Sequence, residues 1–206
     1  MGASYYWRVD AAYPDKTVKG LLWSFATADF ILVDDFESYN DIDPPDPASN
    51  RIFDKWIDGF GTTTNGALIG NDLPPYAEQS IVHGGAQSLV HRYDNNNKTS
   101  EATLTLVYPR DWSEQGVAKL SLWFRGASAN AADRMFVALN GTAAVYHDDQ
   151  SVTQIGTWTE WVIDLTEFAG VDLANVNSVT IGFGTKNSPA AGGTGTIYFD
   201  DIRLYR

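Results

Sequence analysis

Three features of the sequence predict an all-β chain arranged as a sandwich or barrel. Short runs rich in β-branched and aromatic residues alternate apolar with polar positions, Gly, Pro and Asn punctuate them at regular spacing, and almost no stretch carries helical periodicity. At 206 residues the chain is long enough to bury one substantial core and leave a short piece over.

The elements follow in order. Tyr5 to Asp10 and Leu21 to Thr27 are aromatic, alternating runs on either side of Tyr13-Pro14-Asp15 and Lys19-Gly20, and so read as one hairpin over residues 1–29. An isolated hairpin is marginal in water, so Trp7, Trp23 and Phe25 are expected to pack on the following domain or on another chain. Ile31 to Glu37 is a strand studded with acids, and Asn40 to Asn50 is a Pro- and Asp-rich loop. Thr62 to Pro75 is a long irregular excursion.

Ser88 to Tyr93 and Glu101 to Val107 are expected to form a hairpin around the polar tip Asp94-Asn95-Asn96-Asn97-Lys98. Further strands are predicted over 119–125, 135–139, 143–147, 157–165, 178–183 and 196–204. Turns fall at Gly126, Asn140-Gly141, Gly156, Gly170 and Ala190 through Gly195. Only 165–168 and 171–176 have room for a helical turn. Trp112 and Trp161 are expected in the core.

In the final strand, strict alternation puts Tyr198, Asp200, Ile202 and Leu204 on one face and Phe199, Asp201 and Arg203 on the other. An acid among apolar neighbours needs compensation, which a hard cation bound by oxygen ligands supplies. The acid-bearing run Ile31 to Glu37 is the expected partner strand.

The first strand V-D-D-F-E and the last strand Y-F-D-D-I-R-L resemble the two ends of galactose-binding-like jelly rolls found among carbohydrate-binding modules. The ordered string D-W-S, K-L-S-L-W-F-R-G, W-T-E-W-V-I-D-L and V-N-S-V-T-I-G-F extends that resemblance over residues 30–206. It implies a jelly-roll β-sandwich with a structural Ca2+ held by Glu37 and Asp200, with Asp35 and Asp201 as further candidates. It also implies a secreted or cell-surface, multidomain context with other domains of the same polypeptide as neighbours. The words Y-Y-W-R-V-D and G-x-x-W-S-F-x-T resemble the last two strands of a fibronectin type III-like domain.

Composition narrows the function classes. Lys and Arg number 14 against 26 Asp and Glu, a net charge of −12, which argues against nucleic acid and anionic membranes as partners. No apolar run approaches the length of about 18 residues needed to span a bilayer, and Met1-Gly2-Ala3-Ser4 lacks the basic and apolar pattern of a signal peptide. Without cysteine there is no thiol chemistry. The three histidines, His83, His91 and His147, show no metal-ligand spacing, and neither G-x-S-x-G nor a phosphate-binding glycine loop occurs.

Alternation also marks a polar sheet face. Leu120, Leu122 and Phe124 point one way, leaving Trp123 and Arg125 on the other. Glu101, Thr103 and Thr105 alternate with Leu104 and Leu106, and Thr180 and Gly182 alternate with Val179, Ile181 and Phe183. An aromatic plate, a guanidinium, a carboxylate, hydroxyls and a glycine floor are what a neutral sugar requires. Trp123, Arg125, Tyr93, Glu101, His91 and Tyr146 are therefore the expected ligand-binding residues, with His147 also able to rim the cleft. The favoured reading is a non-catalytic polysaccharide- or oligosaccharide-binding module. The alternatives are a jelly-roll polysaccharide lyase or hydrolase, for which Tyr93, His91 and Arg125 supply lyase-type groups, and a structural or adhesive spacer.

Overall fold

The computed structural model describes all residues 1–206. Four short strands, β1 (Ser4–Trp7), β2 (Ala11–Ala12), β3 (Thr17–Val18) and β4 (Trp23–Ala26), build the N-terminal ribbon, with β1 pairing β4 and β2 pairing β3. The body contains β5 (Ile31–Asp34), β6 (Trp56–Ile57), β7 (Leu68–Ile69), β8 (Leu89–Lys98), β9 (Ser100–Thr105) and β10 (Lys119–Arg125). It continues with β11 (Met135–Leu139), β12 (Ala143–Tyr146), β13 (Thr159–Asp164), β14 (Ser178–Phe183) and β15 (Ala190–Tyr205). One sheet runs β13-β10-β15-β8-β7, with β5 also pairing β15, and the other runs β12-β11-β14-β9-β6. The two pack as a β-sandwich, one of the two architectures that alternation and turn spacing predict, and of the jelly-roll type that the resemblance implies. Leu165–Glu167 and Leu173–Asn175 are the expected helical turns, both 3-10, and three others occur at Ile52–Asp54, Glu114–Gly116 and Val152–Gln154.

The core is made by the inward face of each strand. Leu122, Phe124, Ile197, Phe199, Leu89 and His91 from the first sheet meet Met135, Val137, Leu139, Val179, Ile181 and Phe183 from the second, all fully buried or nearly so. Trp112 is fully buried with its indole N–H donating to the Pro109 carbonyl (3.0 Å), as expected of a core tryptophan. Trp161 packs inward, edge-on to His147 at 5.1 Å between centroids.

The predicted side-by-side pairing of the first and last body strands is present, with Leu204 opposite Ile31 and Ile202 opposite Asp34. The parity of the last strand departs from expectation. Asp201 takes φ +49°, and register shifts flank this region on both neighbours, so a bulge inverts the alternation. Asp200 opposes Trp123 on the outer face, while Ile202 and Leu204 turn into the core.

The expected hairpin of 88–93 with 101–107 does not form. Asp94 to Lys98 prolongs β8 and pairs with the opening residues of β15, so Ala190 to Gly195 is strand rather than turn. β9 enters the opposite sheet, between β14 and β6. The polar run is tolerated because this arm extends past the core, where its side chains meet one another: Lys98 pairs with Asp94 (3.2 Å), and Asn95 donates to Asp133 (2.7 Å).

Candidate functional site

The acid-bearing strand ends are drawn together by backbone amides. Asp200 Oδ2 accepts the N–H groups of His83 (2.8 Å) and Gly84 (3.1 Å), and its Oδ1 accepts that of Asp201 (2.8 Å). Glu37 Oε1 accepts those of Ala86 (2.8 Å) and Gln87 (2.9 Å). Residues 83–87 therefore form a clasp held at one end by Asp200 and at the other by Glu37. Asp201 is divided between the His83 ring (Nδ1 to Oδ2, 2.7 Å) and Arg203 (2.6 Å), and Asp35 accepts the Glu37 N–H (3.2 Å). No three His, Asp or Glu side chains gather as a metal-holding group. The Ca2+ expected at Glu37 and Asp200 stays a proposal: Glu37 Oε2 accepts no hydrogen bond and is open to a hard cation, which also takes backbone carbonyls and water as ligands. Burial pushes the Asp200 carboxyl up to about 6 against the lowering effect of its amide donors.

Asp34, which the sequence reading assigned no role, is the most heavily bonded acid of the first strand. It accepts the Tyr39 hydroxyl (2.6 Å), the Trp56 indole N–H (2.9 Å) and the Phe36 N–H (2.9 Å). Burial raises its pKa despite these donors, and it ties β5 of one sheet to β6 of the other.

The sugar-binding residues expected to share one face are dispersed. β10 lies between β13 and β15, and β9 lies in the other sheet, so Trp123 and Arg125 are on the opposite side of the molecule from Glu101 and Tyr146. His91 is fully buried between Phe183 and Phe199 (ring centroids 5.0 and 6.1 Å), with neither ring nitrogen hydrogen-bonded. Tyr93 stacks on Phe183 in the core and donates to the Ala131 carbonyl. Both face inward because they share strand parity with Leu89, which corrects their assignment as ligand contacts. The lyase-type trio of Tyr93, His91 and Arg125 likewise shares no surface.

Trp123 is half-buried beneath His83, and Trp158 stands edge-on to the same imidazole at 5.7 Å. Glu101 pairs with Lys186 (2.6 Å), not with Arg125. Tyr146 lies under the Arg134 guanidinium (4.0 Å), and its hydroxyl accepts the Lys186 N–H (3.0 Å). The outer face of the second sheet is therefore roofed by protein side chains.

An open cleft of about 520 Å³ lies elsewhere, over the β7–β8 edge of the first sheet. The irregular segment 51–76 builds it, together with Arg92 of β8. On one wall Arg51 pairs with Asp43 and Asp54 (2.8 Å each) and covers Phe53 (4.9 Å), and Phe53 meets Tyr76 edge-on (4.9 Å). The Tyr76 N–H donates to Asp41 (2.7 Å), which brings the acidic loop 40–50 against the excursion. On the other wall Asp58 accepts the Phe60 and Ile69 N–H groups (2.8 and 2.6 Å), and this holds Phe60 with 84% of its surface open. Leu68 and Arg92 form the floor. Arg92 donates to Asp72 (2.7 Å) and to the Gly70 carbonyl (3.2 Å), while its buried Nε has no partner. The guanidinium in turn holds the Asp72 pKa below the usual carboxylate range.

This cleft escaped the sequence reading because it is assembled from irregular segments. The signal available was the aromatic content of the irregular segment 51–76: Phe53, Phe60 and Tyr76 have no periodicity that would place them in the core.

No family model matches the chain, and no curated protein does. Among solved structures, an arabinose-bound MgGH51 α-L-arabinofuranosidase matches at 15% identity and TM-score 0.52, over 84% of this chain and 26% of its own. A family 11 carbohydrate-binding module from Clostridium thermocellum, solved with a β-1,3-1,4-mixed-linked tetrasaccharide, matches at 18% identity and TM-score 0.46, over 73% of this chain and 94% of that one. A family 30 carbohydrate-binding module of a C. thermocellum cellulosomal cellulase matches at 14% identity and TM-score 0.47, over 72% and 95%. At these identities the likeness is one of fold, and the chain spans about a quarter of the arabinofuranosidase's length.

Proposed function

We propose that the protein is a non-catalytic carbohydrate-binding module that holds a neutral glycan in the cleft between Phe53, Phe60, Tyr76 and Arg92. The carrying observation is the cleft itself. It has the size of a small-ligand site, the open ring of Phe60 on one wall facing the half-buried rings of Phe53 and Tyr76 on the other, and polar groups along its lining. A sugar stacks its C–H face on an aromatic ring and presents its hydroxyls to fixed donors and acceptors. Phe60 supplies an open ring, and Arg92, Asn71, Asp72 and Asp54 supply the polar partners. The unpartnered Arg92 Nε is the kind of buried donor that a ligand hydroxyl or water completes. The charge balance selects for neutrality. Asp54, Asp58 and Asp72 outnumber Arg51 and Arg92, both arginines are already paired, and the chain carries −12 overall, so an anionic glycan is disfavoured. A secreted, multidomain setting accompanies this reading as part of the same proposal.

Affinity electrophoresis against neutral polysaccharides (mixed-linked β-glucan, agarose, arabinoxylan) and an anionic one (pectate) tests it. The wild type should be retarded by at least one neutral polymer. Phe60→Ala and Arg92→Ala should each weaken retention about tenfold, a loss of about 1.4 kcal/mol. Phe60 is open to solvent, so its replacement leaves the fold intact. Unchanged retention in both variants would remove the site from this cleft. Accumulation of unsaturated or shortened products over time would mark an enzyme, and failure to bind any polymer would favour a spacer.

A further inference from the structure

Trp7, Trp23 and Phe25 of the N-terminal ribbon do not pack on the following domain, and each stays half-exposed. The body, by contrast, carries a row of polar groups left without partners. It lies on the outer face of the first sheet and begins at the cleft.

Strand register places its members. Leu89 and His91 of β8 point into the core, so Arg92 points outward, and it stands directly opposite Thr196 of β15. Ile197 and Phe199 are fully buried, which leaves Thr196 and Tyr198 on that outer face as well. Tyr198 in turn stands opposite Arg125 of β10, whose neighbour Phe124 is in the core. Arg92 is part of the cleft lining, so the row Arg92, Thr196, Tyr198, Arg125 leads out of the cleft across three strands, and all four residues are partly exposed. Two strand spacings and two residues of rise put Arg92 and Arg125 roughly 12 Å apart.

Each of the four has a polar group that the chain does not satisfy, although partly buried polar groups are ordinarily bonded. Arg92 Nε has no partner. Thr196 gives its backbone N–H and C=O to the side chain of buried Asn130 (3.1 and 2.8 Å), which fixes the strand there and leaves the threonine hydroxyl free. The Tyr198 hydroxyl has no partner either; burial and the nearby Glu78 push its pKa up against the Arg125 charge, so it is a donor at neutral pH. Arg125 enters none of the ion pairs of the chain. Glu78 is held beside the row by two backbone bonds to Ser88 (3.0 and 2.9 Å), so the Arg125 charge is met by one of opposite sign.

Given that the cleft is the glycan site, we propose that its ligand is the interior of a long neutral polysaccharide chain, which leaves the cleft past Arg92 and crosses the sheet over Thr196 and Tyr198 to Arg125. A single sugar held against Arg92 does not reach Arg125. A short oligosaccharide therefore fills the cleft alone, whereas a chain of several units also meets the free hydroxyls and the guanidinium. Each added contact acts on a ligand already held, so affinity accumulates along the chain.

Isothermal titration calorimetry tests this, with oligosaccharides from disaccharide to hexasaccharide cut from whichever of mixed-linked β-glucan, agarose or arabinoxylan retards the protein. Wild-type affinity should climb about a hundredfold over the series. Arg125→Ala should weaken the hexasaccharide about tenfold, and Tyr198→Phe, which removes only the hydroxyl, about threefold, so that the climb flattens. Phe60→Ala should lower affinity at every length and leave the climb in place. Arg125 is in no ion pair and Tyr198→Phe keeps the ring, so both variants should fold, which urea midpoints check. An affinity already complete with the disaccharide, or an Arg125→Ala protein whose climb matches the wild type, overturns the extended path while leaving the cleft as the glycan site. A Phe60→Ala protein that binds every length as the wild type does, or failure to bind any of these polymers, overturns the cleft and the path together.

Discussion

His83 lies flat on Trp123, with ring centroids 3.8 Å apart and planes 15° from parallel. The imidazole is fixed from three directions: its backbone N–H is on Asp200, its Nδ1 is on Asp201, and its face is against the indole. Trp123 is therefore the floor under the 83–87 clasp. The sequence put an aromatic plate on this face and read it as a sugar platform, but the protein's own histidine fills the place a sugar ring would take.

It follows that Trp123→Ala should destabilise the fold by about 2–4 kcal/mol, somewhat under the range for truncating a fully buried tryptophan. Glycan retention of the folded fraction should stay at the wild-type level. Urea unfolding together with affinity electrophoresis checks both, and loss of retention with an unchanged unfolding midpoint would return Trp123 to the binding surface.

His91 and Asp200 titrate in opposite senses. Burial among aromatic rings lowers the His91 pKa to about 3, so between pH 6.5 and 3 the unfolded chain takes up a proton that the native state refuses. Stability from this group is complete above the unfolded pKa and is lost as pH falls. Asp200, raised to about 6, is protonated in the native state where the unfolded carboxyl is still ionised, so its contribution grows as pH falls through 6. Between pH 6 and 4 the two largely cancel.

Single variants should separate them. His91→Leu removes two unpartnered ring nitrogens and should gain stability over wild type progressively on acidification, by about 3 kcal/mol across this window. Asp200→Asn should lose ground over the same range. Urea midpoints at pH 7, 6, 5 and 4 decide it, and parallel curves for all three proteins would show that neither group is linked to folding.

How much was legible depended on the kind of information required. Alternation within a strand is local, so the inward residues of β10, β11 and β14 were readable. The pairing of β5 with β15 was also readable, through acids repeated at both ends of the body. Which sheet a strand joins is not local. β8 and β9 follow each other with one residue between them yet separate into opposite sheets, so a polar face assembled from Trp123, Arg125, Glu101 and Thr103 does not exist as one surface. His91 and Tyr93 were misplaced for a related reason. Their polarity suggested solvent, while their parity with Leu89 sends them into the core. The bulge at Asp201 hid the outward orientation of Asp200, since a one-residue insertion reverses every later side chain. The cleft rests on irregular backbone, where no periodicity reports geometry.

The clasp makes its own prediction about metal and glycine. Gly85 sits at φ +59°, and a Cβ added there would lie 2.2 Å from Glu37 Oε1. One added at Gly84 would lie 2.8 Å from Asp201 Oδ2. The pair of glycines is thus what allows two acids to approach the same loop, and Gly85→Ala should lower stability by about 1–3 kcal/mol through strain and loss of the Ala86 and Gln87 hydrogen bonds. Glu37 Oε1 and Asp200 Oδ2 each accept two amide protons, whereas Glu37 Oε2 accepts none and remains open to a cation. If the proposed Ca2+ sits here, thermal unfolding of metal-stripped protein should show a higher midpoint in added calcium than in chelator, because a native-state ion raises the midpoint by mass action, and an unchanged midpoint would leave the clasp to its amides alone.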